Sequence, residues 1–156
     1  MTHLPSLTDR AASCDGDRWY FRASAVALGQ NAVLILGQPG AGKSTLALSL
    51  MAFGATYVAD DGVWLEPHPD GPVLSRPAAA PPMIEARGVG ILNAGEVVDR
   101  ARLALVVDLD AAEADRLPVR HAVAVGPTES PLLQGKDNPH LAAAILQLLR
   151  SGRAEP

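Results

Sequence analysis

Apolar residues in this chain gather in short runs broken by glycine, proline and paired acidic residues, a spacing that predicts many short strands and few helices. Ala32-Val-Leu-Ile-Leu36, Leu103-Ala-Leu-Val-Val-Asp108 and His121-Ala-Val-Ala-Val125 read as buried strands. Trp19 to Leu28 alternates loosely and predicts one strand or two short ones. Gly29-Gln-Asn31 then turns the chain tightly into Ala32–Leu36, which predicts an antiparallel hairpin. Thr56-Tyr-Val-Ala59 and Val63-Trp-Leu65 predict a strand pair with Asp60-Asp61-Gly62 between them. Six prolines between 67 and 82 predict a loop with room for one short strand. Helical character is confined to two stretches. Thr45 to Phe53 is rich in helix formers and meets Gly54, a suitable C′ residue. Leu141 to Arg150 places its leucines on one face, with Asn138 as N-cap and Pro139 at N1. Residues 1–18 read as a polar lead-in, and no repeat or linker divides residues 1–156, so a single domain is expected.

Composition narrows the class. A chain of 156 residues supports one core, burying roughly 70% of the unfolded surface. Hydrophobic residues at 48% and charged residues at 19% suit a globular protein. With aromatics at 4%, Ala, Val, Leu and Ile must fill that core. A net charge of −4 argues against a nucleic-acid partner, which calls for a basic surface. The lone Cys14 cannot close an intrachain disulfide. With no signal-like segment and no membrane-length apolar run, a cytoplasmic protein without a membrane partner is expected.

One motif carries specific chemistry. Gly37, Gln38, Pro39, Gly40, Ala41, Gly42, Lys43 and Ser44 spell G-x-x-x-x-G-K-[ST], and Thr45 opens the helix behind them. Glycines let backbone N–H groups reach phosphate oxygens, the lysine reaches the β/γ-phosphates, and the serine hydroxyl suits Mg²⁺. Strand, loop and helix follow in that order, which sets the phosphates at a helix N-terminus. A nucleoside triphosphate with Mg²⁺ is therefore the expected ligand. The hairpin in front of the loop strand is unusual, because common doubly wound folds start that strand in a parallel crossover.

Further side chains narrow the reaction, each with an alternative. Asp60 and Asp61, at a strand end, suit a carboxylate that orients or deprotonates an attacking hydroxyl and another that helps hold Mg²⁺. The same Asp-Asp-Gly also suits a plain turn. Glu85 and Arg87 stand two apart on an apolar segment, so on a strand they share a face. They read either as a metal ligand beside a phosphate clamp or as a surface ion pair. Arg116, in Asp115-Arg-Leu-Pro118, is a phosphate-contact candidate or a solvated loop residue. Asp108 ends an apolar strand, as the Mg²⁺-side carboxylate of an ordinary P-loop ATPase does. No N-K-x-D element for guanine is present.

Taken in order, G-Q-P-G-A-G-K-S, V-A-D-D, I-E-A-R-G-V-G-I-L and D-R-L-P resemble the catalytic domain of HPr kinase/phosphorylase over about residues 20 to 125. The resemblance implies an α/β fold: a P-loop-containing core similar to phosphoenolpyruvate carboxykinase, with a mixed sheet and flanking helices. It implies an ATP- and Mg²⁺-dependent serine protein kinase that phosphorylates the phosphocarrier HPr, with a phosphorylase reverse reaction, in a homo-oligomer of hexamer type. Asp60 and Asp61 become the catalytic aspartates, one of them the general base. Ser44 and Glu85 become the metal ligands, and Arg116 contacts the transfer region or the protein substrate. The implied version is the short form made of the catalytic domain alone. One position departs from the family pattern: its histidine about fifteen residues ahead of the loop is replaced here by Arg22, in Phe21-Arg22-Ala23-Ser24. Arginine cannot exchange a proton near neutrality, which weakens the expectation of the reverse reaction. The alternatives are a nucleotide-binding regulatory module with little transfer and a kinase for another acceptor.

Overall fold

The computed structural model describes residues 4–154; residues 1–3, His3 among them, and residues 155 and 156 lie outside the described residues. After a 3₁₀ turn, Leu7–Arg10, come β1 (Ser13–Asp15), β2 (Arg18–Phe21), β3 (Ser24–Leu28) and β4 (Asn31–Leu36). Helix α1 (Lys43–Ala52) leads to β5 (Thr56–Ala59), β6 (Val63–Glu66) and β7 (Val73–Ser75). A hairpin of β8 (Met83–Ala86) and β9 (Gly90–Asn93) precedes the long β10 (Arg100–Asp108). The chain closes with β11 (His121–Val125), β12 (Thr128–Gln134) and α2 (Leu141–Ser151).

Ten strands among the described residues form one mixed sheet, ordered β1-β2-β6-β7-β10-β4-β3-β5, with β12 and β11 added beside β10. Strand β10 runs parallel to β4 and to β12 and antiparallel to β7. The sheet curls, so that its β5 edge returns to the far side: Val98 N–H donates to the Tyr57 carbonyl at 3.0 Å, and Arg76 Nη1 to the Val58 carbonyl at 3.1 Å. The face away from the helices is lined by small residues, Ala23, Ala25, Ala27 and Ala32, beside Phe21 and Leu34. Short side chains there let the curled layers approach closely. The opposite face, with Val33, Ile35 and Val107, is covered by Leu46 and Leu50 of α1 and by Ile145 of α2. Because β4 is buried on both faces, its residues form a continuous apolar run.

The expected hairpin of β3 and β4 is present, paired from Ser24↔Ile35 to Leu28↔Asn31. Gly54, at φ 112°, ends α1 as expected, and Ala55 N–H returns to the Leu50 carbonyl. Three expectations need correction, and one strand forms where none was expected. Residues 4–18 are built into the fold rather than standing as a lead-in: Leu7 is fully buried, Ala124 N–H donates to the Pro5 carbonyl, and β1 pairs with β2. Strands β5 and β6 both form but do not pair with each other, because β5 is taken by β3 and β6 lies between β2 and β7. The segment Thr128–Gln134, which Pro131 and its polar start disguised, is a strand paired with β11 and β10. Finally, His140 rather than Asn138 is the N-cap of α2. Asn138 Oδ1 accepts the His140 N–H at 3.1 Å in the turn just before the helix.

Candidate active site

Strands β4 and β10 place Leu36 opposite Asp108, so both chains leave the sheet at one edge. There the chain turns through Gly37–Gly42 into α1. A Cβ on Gly37 would lie 2.8 Å from that of Ala41, so the loop can close this tightly only with glycine. Gly42 caps the helix at φ 103°, a left-handed conformation in which side chains are strained. Lys43 folds back over the loop, donating to the Gly37 carbonyl at 2.7 Å and the Gln38 carbonyl at 3.1 Å. Gln38 N–H is held by Asp110 Oδ1 at 3.0 Å.

The loop forms one wall of a cleft of about 1040 Å³, with Lys136, Asp137 and Asn138 on the other. Backbone bonds from Gly135 N–H to the Asp108 carbonyl (2.9 Å) and from Lys136 N–H to the Ala111 carbonyl (3.0 Å) fix that second wall. Gln38 to Gly42 and Thr45 line that cleft, whereas Lys43 turns to the loop carbonyls and Ser44 to Asp60.

Behind the loop stands Asp60. Its Oδ1 accepts hydrogen bonds from Ser24 Oγ at 2.6 Å and Ser44 Oγ at 2.8 Å, and its Oδ2 lies 3.0 Å from Ser44 Oγ. Ser24 is fully buried and Asp60 half-buried, so these bonds to a charged acceptor are strong ones. Antiparallel topology brings the group together. The C-terminal end of β4, the start of β3 and the end of β5 all lie at the same edge of the sheet. The neighbouring Tyr57, whose hydroxyl donates to the Met83 carbonyl at 3.0 Å, ties β5 to the β8–β9 hairpin. Burial raises the pKa of the Tyr57 hydroxyl, and the nearby Asp60 charge adds to that rise.

The other expected residues are placed as follows. Asp61 is exposed, at φ 60°, directly after Asp60 in the connection to β6. Arg22 is exposed at the corner between β2 and β3, two residues before Ser24, and among the described residues makes no salt bridge. Glu85 lies on the exposed face of β8, between the buried Ile84 and Ala86. Arg87 falls in the β8–β9 turn, closed by Val89 N–H to the Ala86 carbonyl, so it does not share a strand face with Glu85. Neither an ion pair nor a hydrogen bond joins those two. Arg116 is exposed in the loop before β11 and lines a second cleft, of about 530 Å³, which shares Lys136–Pro139 with the first.

Asp108 stands at the strand end where a P-loop protein keeps its Mg²⁺-side carboxylate, yet its partners lie elsewhere. It accepts Arg10 Nη1 at 3.0 Å and Asp110 N–H at 2.9 Å, while Ser44 turns to Asp60. Arg10 also approaches Asp110 at 3.4 Å, so the N-terminal segment braces the carboxylate that holds Gln38. Sequence reasoning passed over Ser24, Arg10, Asp110 and Lys136. Only Lys136 left a signal, as the second of two lysines in a chain with eleven arginines.

A family model described as the HPr Serine kinase C-terminal domain matches residues 18–124, the segment that carries the loop, both aspartates, Glu85 and Arg116. The chain belongs to this family. Among curated relatives, HPr kinase/phosphorylase 1 of Oceanobacillus iheyensis is 39% identical over 85 residues, covering 50% of this chain and 27% of that protein. HPr kinase/phosphorylase of Geobacillus sp. strain WCH70 is 40% identical over the same length and shares of both chains. The match thus spans about a quarter of the length of those relatives. The solved Hpr(Ser) kinase/phosphatase from Coxiella burnetii superimposes with a TM-score of 0.68 over 84% of this chain and 88% of that one. At 22% identity this is a likeness of fold: a mixed α/β architecture with a curled sheet and two helices, as the motif order implied. No described helix is long and apolar enough to cross a membrane.

Proposed function

We propose that this member of the HPr kinase family is an ATP- and Mg²⁺-dependent phosphotransferase acting on a serine of an HPr-type phosphocarrier. The observation that carries this reading is the Ser24–Asp60–Ser44 group set directly behind a complete phosphate-binding loop. A half-buried carboxylate held on both sides supplies, behind the loop, the fixed charge that metal-assisted phosphoryl transfer calls for. Lys43 and the N-terminus of α1 take the β/γ-phosphates, with Lys43 exchanging its loop carbonyls for phosphate oxygens.

The residues present fit a magnesium ion. Ser44 gives its only proton to Asp60, which leaves its oxygen lone pairs for a hard cation beside a carboxylate. Ser44 and Asp60 would hold the ion, with Glu85 as the further ligand that the family resemblance implies. When bound, Mg²⁺ neutralises charge on the β- and γ-phosphate oxygens. Asp60 is occupied by two hydroxyls, so the proton-accepting role falls to the exposed Asp61. Asp61 takes the proton of the acceptor serine hydroxyl as its oxygen bonds to the γ-phosphorus. The bond from that phosphorus to the β,γ-bridging oxygen breaks, and ADP leaves. Arg116 takes the contact with the protein substrate, a role supported by its cleft adjoining the one that the loop lines.

The test is transfer of label from ATP, with Mg²⁺, to a serine of HPr. Absence of transfer alongside tight ATP binding favours a second reading, that of a nucleotide-binding regulatory module. Its support is Arg22, a fixed cation two residues before Ser24, where the family resemblance leads one to expect a proton-exchanging histidine. Assembly into a homo-oligomer belongs to the same proposal. Val89 and Ile91 stand exposed on the β8–β9 hairpin and offer an apolar contact for a second copy.

A further inference from the structure

Ser24 lies outside the loop motif and outside the paired aspartates, yet it makes the shortest of the contacts to Asp60, at 2.6 Å. It is 0% exposed, on a strand that carries no loop residue. Its position follows from topology. Strand β3 runs antiparallel to β4, so its first residue, opposite Ile35, lies two residues from the start of the phosphate loop. In a fold that enters the loop strand from a parallel crossover, the preceding strand would start at the far edge of the sheet.

The proton bookkeeping gives this contact a purpose. A serine hydroxyl has one proton, and Ser44 spreads its own across both Asp60 oxygens at 2.8 and 3.0 Å. Such a shared bond leaves the carboxylate free to rotate. The Ser24 proton, committed to Oδ1 alone, fixes the rotation. We propose that Ser24 is a positioning residue: it locks the Asp60 carboxylate so that Ser44 keeps its proton on Asp60 and its lone pairs turned towards a divalent cation. The proposal rests on the reading of this site as a metal-nucleotide site, and it adds a residue on which metal affinity depends.

The experiment measures Mn²⁺ binding by its electron paramagnetic resonance signal in the presence of saturating ADP, and ADP binding without metal by calorimetry. For Ser24→Ala, loss of a hydrogen bond to a charged group is expected to weaken Mn²⁺ binding by about 10-fold or more. Metal-free ADP affinity stays within about 2-fold of the parent, since the loop itself is untouched. In an Asp60→Asn background, Ser24→Ala adds less than about 2-fold, because the two side chains act as one unit. Ser24→Cys, which keeps the volume and weakens the donor, moves Mn²⁺ affinity in the same direction should the alanine variant fold poorly. Equal Mn²⁺ affinity in parent and serine variants overturns the inference, as does a full additive effect in the Asp60→Asn background. A parent that binds ADP but no Mn²⁺ beside it takes down the metal-nucleotide reading and this inference with it.

Discussion

Asp60→Asn, compared with Asp61→Asn and Asp108→Asn, is the perturbation that most directly tests how this site is divided. Asp60 receives hydroxyl contacts at 2.6, 2.8 and 3.0 Å from Ser24 and Ser44. Asparagine keeps one acceptor oxygen but removes the charge, turning two charge-assisted bonds into neutral ones. Each conversion costs about 1 kcal/mol, about 2 kcal/mol together, which is roughly 30-fold in affinity. That loss should appear as an increase in the Mg²⁺ concentration for half-maximal transfer, with metal-free nucleotide affinity little changed. Asp61→Asn should leave the metal titration alone and lower turnover by about 10²–10⁴-fold, the range for a positioned general base. Asp108→Asn loosens a partly exposed pair with Arg10. It costs at most about 1 kcal/mol of stability and leaves transfer near the parent value. The assay is label transfer from ATP to HPr across a Mg²⁺ series at saturating nucleotide. If Asp108→Asn abolishes transfer while Asp60→Asn leaves the metal titration unchanged, the site works as an ordinary P-loop ATPase and the role given to Asp60 is wrong.

Lys43→Ala should abolish ATP binding at micromolar nucleotide with thermal stability nearly unchanged, because its ammonium bonds to two loop carbonyls rather than into the core; unchanged affinity by calorimetry would remove the loop assignment. Glu85→Gln should raise the Mg²⁺ needed for half-maximal activity, and a titration identical to the parent's would return Glu85 to the solvent face on which it lies. Arg22→His should raise phosphate-driven removal of the phosphoryl group relative to kinase activity, since imidazole can exchange a proton near neutrality; an unchanged ratio would put Arg22 outside the chemistry. Tyr57→Phe tests the electrostatics of β5. The Tyr57 pKa is raised in the folded protein by burial and then by Asp60, so its contribution to stability is full below about pH 10 and is lost as pH rises through the folded value. Chemical denaturation between about pH 9 and 11 should show a smaller loss of stability in Tyr57→Phe than in the parent, and equal losses would refute that cause.

Local chemistry was legible in the chain itself. The phosphate loop depends on glycine conformations and on neighbours adjacent in sequence, so Gly37 to Ser44 announced their shape. The turn at Gly29-Gln30 fixed the β3–β4 hairpin for the same reason, and Gly54 ended α1. What the sequence left open was partnership at long range. Alternation marks a strand but does not name its neighbour, so β5 and β6, adjacent in the chain, were expected to pair and do not. Two candidate carboxylates, Asp60 and Asp108, each follow a run of strand-forming residues and look alike as sequence. Only the fold turns Ser24 and Ser44 towards the first and Arg10 towards the second. Arg10 is 98 residues from Asp108, and Ser24 is 36 from Asp60. No local pattern encodes contacts at such separations, because they exist only once the curled sheet has brought its strand ends to one edge.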